Sequence, residues 1–393
     1  MQVPLQAPPV SDQPILLYLY KLLLLLLLLF LLFVLAALRN RVNFRHQLRR
    51  ERERERQAAV RQRATKRRQA AANAGPTSQL APSTEPIEAA LVRLSQLHED
   101  RKFLDAGKLL DALRARLAIA KGGAARAAAT ELERMLAAGG ACHGLEGKVH
   151  ISREALTALN DDSGWSFLGE SDGARMQRRD EGDNLLVKID AVLEGVRPVD
   201  TLKIWREASL YPTWFPLATG GFMLKERDPA NIVAHIEFSQ FFGVMDLVLE
   251  GWSCDHTTDG CFLFCVRSVR AKDVPDVARY PPHPAKAHPG KPMAVRILAK
   301  IDILFEPLSP TSVRFCFLIT QPIPPNTPRW IVTYVLQKGM SQIFRRMRQT
   351  AAAMSNTAKQ SPHRAHYERV EYKRVNEYWD DKINSYLTTL GAA

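Results

Sequence analysis

Val295-Arg296-Ile297-Leu298-Ala299-Lys300-Ile301-Asp302-Ile303-Leu304-Phe305, followed after Leu308-Ser309-Pro310-Thr311 by Val313-Arg314-Phe315-Cys316-Phe317-Leu318-Ile319, is the stretch that decides the fold. Val295, Ile297, Ala299, Ile301 and Ile303 alternate with Arg296, Lys300 and Asp302, the period-2 pattern of a strand with one apolar and one wetter face. The Pro-containing tetrapeptide makes a turn, and residues 313–319, dense in Phe, Val and Ile, form a second strand. Gln321-Pro322-Ile323-Pro324-Pro325-Asn326-Thr327-Pro328 then stops the sheet, because proline cannot donate to a ladder. Asn326 or Thr327 can cap a helix that holds Pro328 in its first turn. Along that helix Ile331, Val335, Lys338, Ile343 and Phe344 recur near helical spacing. Arg345, Arg346 and Arg348 close its C-terminal end, where cations suit the dipole. The class is α+β: a curved antiparallel sheet with a helix laid across it, enclosing an apolar interior.

The chain of 393 residues is long enough for a sizeable core plus accessory parts. Its formal charge of +13 is uneven. Across residues 39–69, 13 Arg or Lys stand against three Glu, a net of +10. The remainder is nearly balanced, which argues against nucleic acid as a partner of the main domain. Five cysteines, an odd number scattered through a long chain, fit a reducing compartment rather than a disulfide scaffold.

Residues 1–14 are short and nearly uncharged, and residues 15–38 are apolar apart from Lys21. Twenty-four residues of helix span about 36 Å, enough to cross a hydrocarbon core of roughly 30 Å with some tilt. The arginines follow this run, so the positive-inside rule predicts a single transmembrane helix with the main domain cytoplasmic and the N-terminus luminal or exterior. Residues 39–85 are a basic juxtamembrane segment and linker, suited to a solvated helix or to anionic headgroups.

Residues 86–140 read as a small helical hairpin, broken at Gly122-Gly123, that serves as a spacer or binds a protein partner. Residues 148–350 form the main domain, and residues 351–393 a C-terminal tail with a helix. Within the main domain, Val187, Ile189, Ala191 and Leu193 alternate as a strand, and residues 198–210 form a short helix bearing Trp205. Residues 261–271 form another strand. Residues 276–292, with five prolines, are a long loop of the functional kind.

The order of these features resembles the StAR-related lipid-transfer (START) family. The resemblance rests on the short helix with Trp205, on Trp214-Phe215-Pro216, on the final strand pair and on Pro324-Pro325-Asn326-Thr327-Pro328-Arg329-Trp330-Ile331-Val332 leading into the long helix. It covers roughly residues 150–350. It implies a helix-grip fold in which the sheet and the helix hold one lipid, a sterol, phospholipid or sphingolipid, in a tunnel. The lining it implies is Trp214, Phe264, Ile303, Phe317, Trp330, Tyr334 and Val335, with Arg296, Asp302 or Arg314 as polar contacts. Lys286, Lys291, Arg345, Arg346 and Arg348 are the expected contacts with a membrane at the tunnel mouth.

Competing chemistry is poorly supported. Cys261 and Cys265 share a strand face but sit about 13 Å apart along it, too far for one zinc ion. The cysteines read as core residues. There is no Gly-x-Ser-x-Gly elbow, His-Glu-x-x-His or phosphate-cradling loop, so no catalytic residue, metal or cofactor is expected. The alternative is a membrane-tethered scaffold with a START-like core and no exchangeable ligand; a filled core would favour it.

Overall fold

The computed structural model describes residues 85–171, 173–240, 243–283, 294–322 and 329–391. The expected membrane span at 15–38 and the basic segment after it lie outside these. Among the described residues no helix is long and apolar enough to cross a membrane.

Four helices come first: α1 (Ile87–Glu99), α2 (Phe103–Ile119), α3 (Gly123–Leu136) and α4 (Leu145–Asn160). Leu91 and Leu94 of α1, Leu109, Leu110 and Leu113 of α2 and Val149 of α4 are buried together. Gly107 lets α2 and α4 approach closely, since a Cβ there would meet a Val149 methyl at 2.5 Å.

The sheet follows as β1 (Ser166–Ser171), β2 (Ala174–Glu181), β3 (Asn184–Glu194), β4 (Ala218–Asp228), β5 (Asn231–Gln240), β6 (Gly243–His256), β7 (Cys261–Ser268), β8 (Ala294–Arg296), β9 (Lys300–Ser309) and β10 (Ser312–Pro322). Its order is β1-β2-β3-β10-β9-β7-β6-β5-β4, antiparallel throughout, with β8 added parallel to the start of β6. The single long strand expected at 295–305 is thus two pieces, β8 and β9. Period 2 does not single out β2 or β4. The first carries five charged residues in eight, and the second holds Thr219-Gly220-Gly221 near its start and leaves much of its surface in solvent. Gly221 is required by packing, because a Cβ there would stand 2.3 Å from the Ala208 carbonyl oxygen.

Between β3 and β4 lie α5 (Pro198–Arg206) and α6 (Tyr211–Trp214). After β10 comes the long α7 (Arg329–Ser355), then α8 (Pro362–Tyr367) and α9 (Lys373–Thr389). Ile343, Phe344, Met347, Ala351 and Met354 of α7 are buried in one apolar cluster with Ile189, Ile303, Phe315 and Phe317 of the sheet. This is the sheet-and-helix arrangement that the final strands predict.

Two boundaries move. The helices at 87–160 share a buried cluster with Leu186, Leu263, Leu304, Cys316 and Leu318, so they cover the outer face of the sheet rather than standing apart as a hairpin. The segment 351–393 is no free tail either: Trp379, Ile383, Tyr386 and Leu387 of α9 belong to the inner core. Both segments bury apolar faces too small to fold alone.

Candidate functional site

On β9 and β10 alternate residues take opposite faces. Ile301, Ile303 and Phe305 face inward opposite Ile319, Phe317 and Phe315, whereas Asp302, Leu304 and Cys316 face outward. Inside, between the sheet, α5 and α7, lies a cavity of ≈ 310 Å³ with a predominantly apolar wall.

The strand directions give the cavity two ends. At the front are Phe238 of β5, Met245 of β6, Ile297, Gln321 of β10 and Gly339 of α7, together with Leu217, which is 36% exposed. Exposed Val295 and Leu298 stand at the same end. At the back are the β4–β5 turn with Pro229 and Ala230, Trp252, Phe305, Phe315 and Trp379, closed off from solvent.

Arg206 is the only charged side chain among the described lining residues. It is 6% exposed, and its guanidinium is held at the back by the Pro229 carbonyl (Nε, 3.2 Å) and by Glu226 (Nη2, 2.5 Å). Its Nη1 is buried without a hydrogen-bond partner. Burial opposes its charge, but Tyr367 and Glu226 beside it hold its pKa above the ordinary value.

Phe264, Ile303 and Phe317 are brought together in the wall, as the resemblance implies. Trp214 is fully buried one layer behind it, packed edge-on against Trp205 at 5.2 Å and Tyr211 at 5.1 Å. Trp330, Tyr334 and Val335 lie in the first turns of α7, whose side chains are outside the described residues.

The expected polar contacts are corrected. Arg296 points outward and makes a two-pronged pair with Asp246 (2.9 and 2.5 Å), which also takes His235 Nε2 at 3.0 Å. Arg314 does the same with Asp190 (3.1 Å) and Glu306 (3.3 Å). Asp302 is buried outside the cavity, paired with Arg267 at 2.7 Å, and desolvation raises its pKa. Period 2 sends these three to the face opposite the cavity. Arg206 had a legible signal: it follows Val199 and Leu202 on one helical face, a charged residue in an apolar position.

Cys254, Cys261, Cys265 and Cys316 lie in the apolar layer of the outer face. Burial pushes the Cys254 thiol up to about 11 and raises that of Cys265 as well. Among the expected membrane contacts, Arg345 and Arg346 are exposed on α7 and Arg348 is half-buried. Lys286 and Lys291 lie outside the described residues.

No family model and no curated protein matches the chain. Solved structures do. Human STARD10 is 14% identical over 50% of this chain and 77% of its own, with a TM-score of 0.42. Human StAR-related lipid transfer protein 5 is 16% identical over 51% of this chain and 93% of its own, also at 0.42. The Zhui aromatase/cyclase from Streptomyces sp. R1128 is 8% identical over 44% of this chain and 98% of its own, at 0.32. The solved structures to which this chain is similar are mainly StAR-related lipid-transfer domains.

Proposed function

We propose that this protein holds one lipid in the cavity between the sheet and α7 and transfers it between nearby membranes. The observation that carries the reading is the hollow itself, ≈ 310 Å³ of apolar space behind a sheet whose other face is covered by a buried apolar cluster. A scaffold needs no such space, and an unfilled cavity forfeits dispersion contacts. Burying an acyl chain or a sterol against this wall contributes about 25 cal/mol per Å², so few polar contacts are needed.

Arg206 is placed to supply one of them. Its guanidinium is the one charge of the described wall and attracts an oxygen of the ligand head, while Glu226 compensates the charge. The lipid then lies with its head at the back and its apolar end towards the front. The front is the mouth, between the 276–292 loop and α7. Lys286 and Lys291 of the loop draw it to anionic headgroups, with Arg345, Arg346 and Arg348 adding positive charge further along α7. Residues 15–38 span the bilayer once and tether the domain on the cytoplasmic side.

Two experiments test this. The full chain is purified and its bound lipid identified by mass spectrometry; transfer is then followed between donor and acceptor vesicles. A specific co-purifying lipid that exchanges supports the reading, and failure to extract or exchange any natural lipid returns the protein to the scaffold class. Protease added to sealed membranes should digest the C-terminal domain from the cytoplasmic face; protection there would overturn the topology.

A further inference from the structure

The described cavity wall holds few polar side chains, and nearly all of them are committed. The Tyr211 hydroxyl donates to the Trp205 carbonyl at 2.7 Å, Trp205 Nε1 to Met347 Sδ at 3.1 Å, and Trp379 Nε1 to the Pro229 carbonyl at 3.2 Å. Arg206 is held by Pro229 and Glu226. Its Nη1 and Trp252 Nε1 have no partner, but both are buried without accessible surface. Gln321 differs. It follows Phe315, Phe317 and Ile319 at period 2 on β10, so its side chain takes the inner face, and it stands in the wall at the front. The residue opposite it on β3, Leu185, is 2% exposed. Gln321 itself is half-buried, yet its amide bonds to none of the described residues and is not sealed in as Arg206 Nη1 is. It is the one polar side chain of the described wall that is both unbonded and accessible.

We infer that Gln321 is a specificity-determining residue that takes a hydrogen-bonding group at the outer end of the bound lipid, so that the favoured ligand is polar at both ends. This rests on the lipid reading above, with the head at the back. Phe315, at the back, and Gln321, at the front, are six residues apart on β10, about 20 Å, so a long extended chain reaches from one end to the other. A side-chain amide offers both donors and an acceptor. A methyl end brought against it strips its water and returns no bond, whereas a hydroxyl replaces the water it displaces. The residue thus works against a plain chain as well as for a polar one.

The test uses the full chain in nanodiscs, with hexadecan-1-ol and hexadecane-1,16-diol as competing probes and bound lipid read by native mass spectrometry. The parent should favour the diol by about three- to tenfold, the worth of one net hydrogen bond. In Gln321→Met, close in shape but without the amide, that preference should vanish. Thr320→Val, one residue away on the opposite face, should keep it. Thermal melts establish which variants fold; if Gln321→Met does not, Gln321→Leu carries the comparison. A parent that binds both probes equally, or a ratio unchanged in the folded Gln321 variant, would overturn the role of Gln321 and leave lipid binding intact. A parent that binds neither probe overturns the lipid reading, and this inference with it.

Discussion

The two faces of the sheet are covered in opposite ways. Outside, α1 to α4 press on Leu263, Leu304, Cys316 and Leu318, and several charged residues on that face pair off, Asp302 with Arg267, Lys300 with Glu154 and Arg314 with Asp190, although both Asp302 oxygens lack a hydrogen bond. Inside, α7 and α9 bury as many aromatic and aliphatic side chains but leave a hollow, with one charged group whose third nitrogen has no partner. Burial by itself therefore does not mark the site. What separates a packed layer from a binding cavity here is unfilled volume.

The largest effect expected from this contrast is on stability. Leu318→Ala, in the filled outer layer, should cost about 3 kcal/mol, whereas Ile301→Ala, at the margin of the hollow, should cost less than about 1.5 kcal/mol and weaken lipid binding instead. Denaturant melts and lipid extraction on the same two variants check it; equal losses of stability would mean the two faces do not differ.

Arg206→Met should come next. Loss of a hydrogen bond from a charged donor is worth about 1.5–3 kcal/mol, so lipid affinity should fall about 10- to 100-fold. Arg314→Met on the outer face should leave affinity unchanged. Titration of lipid into both variants distinguishes them, and a comparable loss in Arg314→Met would remove Arg206 from its role.

The third prediction concerns the segment that closes the back. His363 of α8 is fully buried beside Thr213, with Nε2 and Oγ1 3.0 Å apart, and burial pushes its pKa from 6.5 to about 4. Between those values the unfolded chain binds more protons, so the neutral ring's contribution is complete above about pH 6.5 and is lost as pH falls towards 4. About 2 kcal/mol should disappear between pH 7 and pH 5. Hydrogen exchange should show the loss concentrated in residues 362–389 rather than in the helices of the outer face, and His363→Gln should flatten the slope. A slope unchanged in that variant would assign the acid sensitivity elsewhere.

The smallest effect is electrostatic. Each basic residue near a charged bilayer contributes about 1 kcal/mol, less as salt screens it. Replacing Lys286, Lys291, Arg345 and Arg346 with Ser should slow transfer to anionic vesicles more than to neutral ones at low salt. Equal rates on both vesicle types would place the mouth at another surface.

Much of the fold was legible, and for identifiable reasons. The strands β3 and β9 carry apolar residues at period 2, β10 is dense in Phe, Val and Ile, and the proline run after residue 321 marks where the sheet must end. The strands β2 and β4 were hidden because their own residues are charged or glycine-rich and their pairing is decided by neighbours. Of the site, the aromatic and aliphatic wall was readable from Phe264, Ile303 and Phe317. Its polar contact was not: Arg296 and Arg314 stand out along their strands, yet their carboxylate partners Asp246 and Asp190 lie 50 and 124 residues away.

The sequence by itself determined the period of β3 and β9, the place where the sheet gives way to a long helix, and which residues of those strands share a face. These follow from local backbone geometry, in which each residue's direction is set by its neighbours. Tertiary structure alone decided which face is hollow, because Ile301, Ile303 and Phe305 on one side and Leu304, Cys316 and Leu318 on the other are equally apolar. It also decided that Arg206 stands in the cavity wall and that Trp379, from a segment that reads as a tail with a helix, closes its far end. Both depend on contacts between residues 23 and 150 positions apart, at a carbonyl oxygen, Pro229, whose role no local pattern encodes.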